Sequence, residues 1–225
     1  MTFIVTDDCQ RLGLRAGAVV FRDVRIGPRD AALHEAIADE VQSIRARLES
    51  PQAIRSLPEV AAFRELLRRA GVNPRREQPS LERLLNYVLK RGDLPAINSL
   101  VDAYNLVSIR SCCSLGAHDL DAIELPVSLR LVTAADRFVP LGSDKIVSIP
   151  AGEFGYVDAR GRVLCRLDVL QAEFSKVTVA TTNVLLIAEG TAEHAPPHLR
   201  RTAEEVMETV TRYCGGTAEV AAWPE

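Results

Sequence analysis

Residues 97–123, INSLVDAYNLVSIRSCCSLGAHDLDAI, bring three short polar side chains and a histidine into one stretch where chemistry could be done. Asn98, Asp102 and Asn105 fall at i, i+4 and i+7, so they share one face of a helix of about four turns. Ile97, Leu100, Val101, Tyr104 and Val107 cover much of the rest. Two adjacent cysteines, Cys112 and Cys113, and a lone His118 then follow in what reads as a loop. Asn and Asp lower helix propensity and cost free energy when buried without partners. Such a stripe is expected either to face a solvated cleft or to hold the backbone of the following loop in a hydrogen-bond network. An unshifted histidine titrates near pH ~6.5, which suits it to positioning or activating water.

Two further clusters stand out. In CRLD, Arg166 and Asp168 should lie on one face of a strand, where they could pair with each other or meet a ligand. In TVATTN, Thr181, Thr182 and Asn183 open a strongly apolar strand, a common place for a pocket and equally for a turn. Arg68 and Arg69 end a helix, Arg75 and Arg76 follow in a loop, and Arg200 and Arg201 sit on the last helix. These arginines could hold phosphates or form a solvated face neutralised by Glu65 and Glu77. The sequence has no GxGxxG, P-loop, GxSxG or HExxH, so the enzymes those motifs mark are set aside. No CxxC pair or metal-ligand spacing occurs, and no metal or cofactor is expected.

The elements that must position these residues can be read from periodicity. Residues 2–6 and 18–24 read as short strands. Residues 29–49 read as a helix, with Leu33, Ile37, Val41, Ile44 and Leu48 at steps of four and three. Pro51 and Pro58 punctuate, Val60 to Ala70 reads as a helix closed by Gly71, and Ser80 reads as the cap of a helix that ends at Gly92. After His118 the texture becomes β. Residues 125–134, 137–142 and 145–158 read as short strands split by Pro and Gly, so that 145–149 and 154–157 are separate, with a turn at 158–161 making a hairpin to 162–167. Residues 176–190 begin as alternation and become a continuous apolar run, as a buried strand would. Residues 196–214 form a last helix, and EVAAW a final strand. The order predicts one α+β domain over residues 1–225, with an N-terminal region 1–72 and the C-terminal helix 196–214 packed on a core.

The chain has 225 residues, 47% hydrophobic and 25% charged, with a net charge of −3. That composition is globular and gives no general attraction to nucleic acid, though a local basic patch could still supply it. No apolar run reaches the roughly 18 residues a membrane span needs. Asp7 and Asp8 stand where a signal peptide would carry positive charge, so a cytoplasmic location with no membrane partner is expected. The five cysteines fit reduced thiols.

The stretch RREQPSLERLLNYVLKRGDLPAINSLVDAYNLVSI, followed by GAHDLDAI, resembles the tRNA-editing B3/B4 domain of the phenylalanyl-tRNA synthetase β subunit. Ile97, Asn98, Leu100, Val101, Asp102 and Asn105 fit its IN-x-VVD-x-TN motif, and His118, Asp119, Leu120 and Asp121 fit HAFDLD. GEFGYVDARGRVLCRLDVLQAEFSKVTVATTNVLL is similar to the free-standing branch of that family, and the likeness covers about residues 75–190. It implies a β-sandwich-like core flanked by helices, with a pocket between the histidine loop and the later strands. The chain departs from the synthetase pattern where Cys112-Cys113 replace a Gly-Gln-Pro stretch. It departs again at Ile187, which stands where the synthetase has a glutamate that helps recognise a tyrosine hydroxyl. Glu189, two residues on, keeps the same strand facing. A rejected amino acid smaller or less polar than tyrosine is expected.

The resemblance implies a deacylase that hydrolyses the ester of mischarged tRNA in trans, with the acceptor end and its amino acid as partner and no aminoacylation. His118 and Asn105 would act on the ester and its water. Asn98, Asp102, Arg166, Asp168, Thr182 and Glu189 would bind substrate, and backbone amides near Gly116 and around Ala172 to Lys176 would meet the developing oxyanion. Arg68, Arg69, Arg75 and Arg76 would hold the acceptor stem. The alternative is a non-catalytic module that binds tRNA or a small polar ligand on the same scaffold.

Overall fold

The computed structural model describes residues 2–223. The chain opens with strand β1 (Phe3–Val5), a short helix α1 (Asp7–Arg11) and strand β2 (Arg15–Arg22). Helix α1, unread in the sequence, carries Asp7 and Asp8 in its first turn, where the helix dipole favours acids.

Local chemistry explains the helices that follow. Helix α2 (Ala31–Arg47) starts at Asp30, whose carboxylate accepts the Leu33 amide at 2.7 Å, and it buries Leu33, Ile37, Val41 and Ile44. Helices α3 (Pro51–Arg55) and α4 (Pro58–Arg69) each begin with proline, so Pro51 and Pro58 initiate helices as well as ending what precedes them. Helix α5 (Ser80–Arg91) stops at Gly92, which takes the left-handed conformation. Ser80 does not cap it. Pro79 holds the cap position, and the Ser80 hydroxyl is turned elsewhere. Helix α6 (Ser99–Ser111) is capped by Asn98, whose side chain accepts the Val101 amide at 2.9 Å.

After Cys112 the chain does not loop. It enters strand β3 (Ser114–Asp119), so His118 sits on a strand. Strands β4 (Val127–Leu131), β5 (Phe154–Val157), β6 (Val163–Arg166), β7 (Leu170–Gln171) and β8 (Val184–Gly190) follow, then helix α7 (Pro196–Cys214) and strand β9 (Thr217–Ala222). The strands expected at 137–142 and 145–149 are reduced to isolated bridges, such as Phe138 with Val147. Pro140 and Pro150 lack the amide a ladder needs. The strand expected from 176 starts only at Val184, because Thr178 and Thr181 form a local turn that uses their amides.

The strands form two sheets, ordered β1-β4-β5-β6-β7 and β3-β8-β2-β9. All seven residues of β8 are buried. Leu185 and Ile187 face the other sheet with Ala18, Val20, Leu129 and Phe154. Val184, Leu186 and Ala188 face α2, α6 and α7. This is an α+β fold: a two-sheet sandwich with helices layered on one side. The N-terminal β2 pairs with both β8 and β9 and is integral to it.

Strands β5 and β6 approach closely at Gly155, where a Cβ would stand 2.7 Å from the Cys165 carbonyl oxygen. Gly155→Ala should therefore push the two strands apart, costing about 1–3 kcal/mol, and thermal unfolding should show a melting point lowered by several degrees. An unchanged melting point would mean this approach is not constrained.

Candidate functional site

Strand β3 lies at the edge of one sheet and β7 at the edge of the other. Between these edges, under α5 and α6, lies a cavity of about 460 Å³. Helix α5 supplies Ser80, Arg83 and Tyr87 to its wall, and α6 supplies Tyr104, Asn105 and Ser108. Leu115 and Gly116 come from β3, while Cys165, Asp168 and Gln171 come from the β6–β7 segment.

The ladder fixes which backbone groups of β3 reach the cavity. The Ala117 carbonyl accepts from Gln171 Nε2 at 2.9 Å, and the Asp119 amide donates to Ser175, both away from β8. In an antiparallel strand, alternate residues point both polar groups to the same side. Leu115 and Ala117 thus turn their amides outward, whereas Gly116 opposite Ile187 spends its own on β8. The donor expected at Gly116 is displaced to its two neighbours. What Gly116 contributes is room, since a Cβ there would meet nothing within 4 Å. The amides of Ala172, Glu173 and Lys176 are engaged by carbonyls of Leu164, Val139 and Glu173, so that segment offers none of these three.

Asp168 enters the cavity because β6 ends abruptly. Leu167 and Asp168 both have φ near +56°, a region that costs a non-glycine residue roughly 1–2 kcal/mol. The strand alternation breaks there, and Arg166 and Asp168 do not pair. Arg166 binds Glu153 at 2.5 and 2.8 Å and Glu77 at 3.3 Å, outside the cavity wall. The Ser114 hydroxyl donates to Asp168 at 2.6 Å, and the Ser80 hydroxyl lies 2.7 Å from Ser114 and 3.1 Å from Asp168. Burial pushes the Asp168 carboxyl up to about 6, with the two hydroxyls pulling it back down.

The polar stripe on α6 divides its work. Asn105 lines the cavity. Asn98 is the helix cap. Asp102 is buried and accepts from Arg29 Nε at 2.9 Å and from the Ile97 amide at 3.0 Å. Arg29 also donates to Asp93, at 2.8 Å, and to the carbonyls of Leu94 and Pro95. The clamp fixes the segment whose Pro95 closes one wall.

His118 is 2% exposed and sits behind Gln171 rather than in the wall. Its Nδ1 lies 3.1 Å from Ser175 Oγ and 3.5 Å from Gln171 Nε2, and its Nε2 has no partner among the described residues. Burial lowers its pKa to about 3, far from the unshifted value expected of it, so the ring is neutral at pH 7. Glu189 is also buried between the sheets. The Tyr156 hydroxyl donates to one carboxyl oxygen, the other has no partner among the described residues, and burial raises the pKa to about 8.

The other expected site residues lie elsewhere. Thr182 is exposed and offers its carbonyl to Val24, and exposed Lys176 pairs with Glu173. Arg68 and Arg69 share Glu65 on the surface of α4, and Arg75 and Arg76 are exposed in the loop that leads to Ser80. Burial pushes the Cys112 and Cys113 thiols up to about 11, which keeps them protonated. Sequence reading missed Ser80, Ser114, Gln171 and Arg29 as site builders. Only Gln171, close behind CRLD, carried even a positional signal.

A helix-flanked sandwich with an edge cavity defines the class, and comparison with known proteins defines the family. A family model described as B3/4 domain matches residues 62–214, so the chain belongs to the B3/4 domain family. It is 29% identical over 107 residues to a protein described as "Probable phenylalanine--tRNA ligase beta subunit" of Vairimorpha ceranae. That match covers 39% of this chain and 21% of that protein, so the chain spans about a fifth of its relative's length. The fold is similar to an N-terminal fragment of the phenylalanyl-tRNA synthetase beta subunit from Pyrococcus horikoshii, with a TM-score of 0.51 and 13% identity. This likeness covers 96% of the present chain and 50% of the other, and it concerns the fold alone. Among the described residues no helix is long and apolar enough to cross a membrane.

Two predictions follow from the buried charges. Asp102→Ala removes one of the two carboxylates on buried Arg29, leaving Asp93 and two carbonyls, and should cost about 1–3 kcal/mol in urea unfolding; an unchanged unfolding midpoint would show the Asp102 contact is dispensable. Glu189 has a folded pKa near 8 against an ordinary value of 4.5, so its stabilising effect is complete below pH 4.5 and fades as pH rises through 8. Glu189→Gln should therefore unfold at a higher urea concentration than the parent at pH 8 and at the same one at pH 4. A variant less stable at both pH values would contradict the assignment of a protonated carboxyl.

Proposed function

We propose that the protein is an aminoacyl-tRNA deacylase that binds the acceptor end of mischarged tRNA and hydrolyses its ester. The observation that carries this reading is the outward Leu115 amide in the wall of a cavity that also presents Asn105 and Gln171. An N–H fixed on a strand edge suits an oxyanion, because a rigid strand holds it in place before charge develops. Membership of the B3/4 family and the synthetase β-subunit relatives support tRNA as the partner. Exposed Tyr87 and Arg83 at the cavity wall suit a terminal nucleotide, the ring for base stacking and the guanidinium for phosphate.

In this mechanism Asn105 and Gln171 orient the water and the ester. The water oxygen adds to the ester carbonyl carbon while the Leu115 amide receives the oxyanion. Collapse breaks the bond to the ribose oxygen, which takes the proton given up by the attacking water, leaving the free amino acid and uncharged tRNA. His118 is too weakly basic and too enclosed to serve as the general base. It is a positioning residue that holds Gln171 from behind. Arg75 and Arg76 would guide the acceptor stem toward Ser80, with Arg68 and Arg69 weakened in that role by Glu65.

One observation favours a non-catalytic binding module instead: no unpaired base of ordinary pKa lines the cavity among the described residues. The test is release of amino acid from a panel of correctly and wrongly charged tRNAs. The account expects selective loss from one mischarged species, slowed about 10²-fold or more in Gln171→Ala, the size of effect expected when a positioning group is lost. It also expects His118 to contribute no rate inflection near pH 6.5, since its ring stays neutral there. Binding without hydrolysis of any species would establish the module reading.

A further inference from the structure

Asp168 is a carboxylate set into the cavity with only neutral donors on it. Its hydrogen bonds come from the hydroxyls of Ser114 and Ser80, and among the described residues no cationic group lies within ion-pair distance. The nearest cation, Arg83, aims a guanidinium N–H at the Val169 carbonyl, at 2.8 Å, forms no ion pair with the carboxylate, and acts on it only through charge at a distance. The backbone is bent to put it there, through two successive left-handed residues that a plain strand ending would not require. Such strain persists where the surroundings hold it, and here they hold an acid facing a half-open cavity.

Resting on the deacylase reading, the geometry points to Asp168 as the receptor for the α-ammonium group of the attached amino acid, with Ser114 and Ser80 holding the carboxylate in place. The cavity then has a polarity: ammonium at the Asp168 floor, ester at the β3 edge beside Leu115, nucleotide toward Arg83 and Tyr87. The substrate class follows. The ligand must carry a free primary ammonium next to the ester, and an N-acylated aminoacyl group is excluded, because its amide has no charge to offer and leaves the carboxylate uncompensated.

The groups that face Asp168 leave this role to it. From α5 come Ser80 and Arg83, from α6 the phenol of Tyr104, which burial keeps protonated, and from β6 the Cys165 thiol, pushed up to about 12 by burial. Behind Ser114 on β8 stands Glu189, protonated near neutrality. Arg83 excepted, all of these are uncharged near pH 7, so Asp168 is the one ionised acid among them.

The experiment measures binding of 3′-aminoacylamino-3′-deoxyadenosines, which cannot hydrolyse, beside their N-acetyl counterparts and beside amino-acid methyl esters with and without N-acetylation. For the parent protein at pH 7.5 the free amines should bind at least tenfold more tightly than the N-acetyl forms. That margin should shrink as pH falls through about 6 and vanish in Asp168→Asn, which should bind N-acetyl forms as the parent does. The same variant should be at least as stable as the parent at pH 7.5. A folded pKa raised from 3.8 to about 6 means the ionised carboxylate costs stability above that range, and Asn removes the cost. A merely structural aspartate would instead give a destabilised variant with unchanged ligand preference. Equal binding of free and N-acetyl forms in the parent overturns the inference and leaves the deacylase reading standing. Binding of methyl esters with the tenfold amine preference but of no nucleoside overturns the tRNA reading and upholds the ammonium site.

Discussion

The candidate site depends on β3 being an edge strand. An edge leaves a row of amides and carbonyls unpaired, and proteins ordinarily cover or blunt such a row. Here α5, α6 and the β6–β7 segment stand around it and enclose a cavity instead of closing on it. Gly116 keeps the space open from inside the sandwich, and Gln171 satisfies one carbonyl of the row. The catalytic potential of the molecule is thus a backbone property first. Side chains decorate a backbone donor, the Leu115 amide, that the sheet topology supplies.

Holding that enclosure open requires fixed walls, and buried ion pairs supply them. Arg29 with Asp102 ties the segment before α6 to the helix itself. Arg64 with Glu82, the latter fully buried, ties α4 to α5 and sets where Ser80 lies. Arg166 with Glu153 and Glu77 joins the second sheet to the loop preceding α5. Burying charge is expensive, and each pair contributes little net stability over an apolar substitute. Geometry is what these pairs fix: each joins an element of the cavity wall to one outside it.

Much of this was legible in the sequence, for physical reasons. The helix periods of α2, α5 and α7 and the apolar run of β8 reflect burial of one face or of both, and burial is written in residue type. The polar stripe on α6 was legible as significant, but its division was not. A capping Asn98, an ion-paired Asp102 and a cavity-lining Asn105 look alike until Arg29 and the Val101 amide are placed. His118 stood out because its type suggests chemistry, yet its environment is dry and its nearest polar neighbours, Ser175 and Gln171, are far away in sequence. The strand assignment across Arg166 and Asp168 failed because two consecutive left-handed residues, one of them a leucine, carry no sequence signature. Ser80 and Ser114 were invisible for a similar reason: a hydroxyl announces nothing until the carboxylate it holds is beside it.

The central claim is that the outward Leu115 amide of β3 forms the reacting edge of the cavity. The most direct measurement is the amide NMR response of Leu115 and Gly116 on addition of a 3′-aminoacylamino-3′-deoxyadenosine. The account predicts a large shift and slowed hydrogen exchange at Leu115, with Gly116, bonded to β8, changing far less. A ligand that binds while leaving Leu115 unperturbed would place the chemistry elsewhere and contradict it.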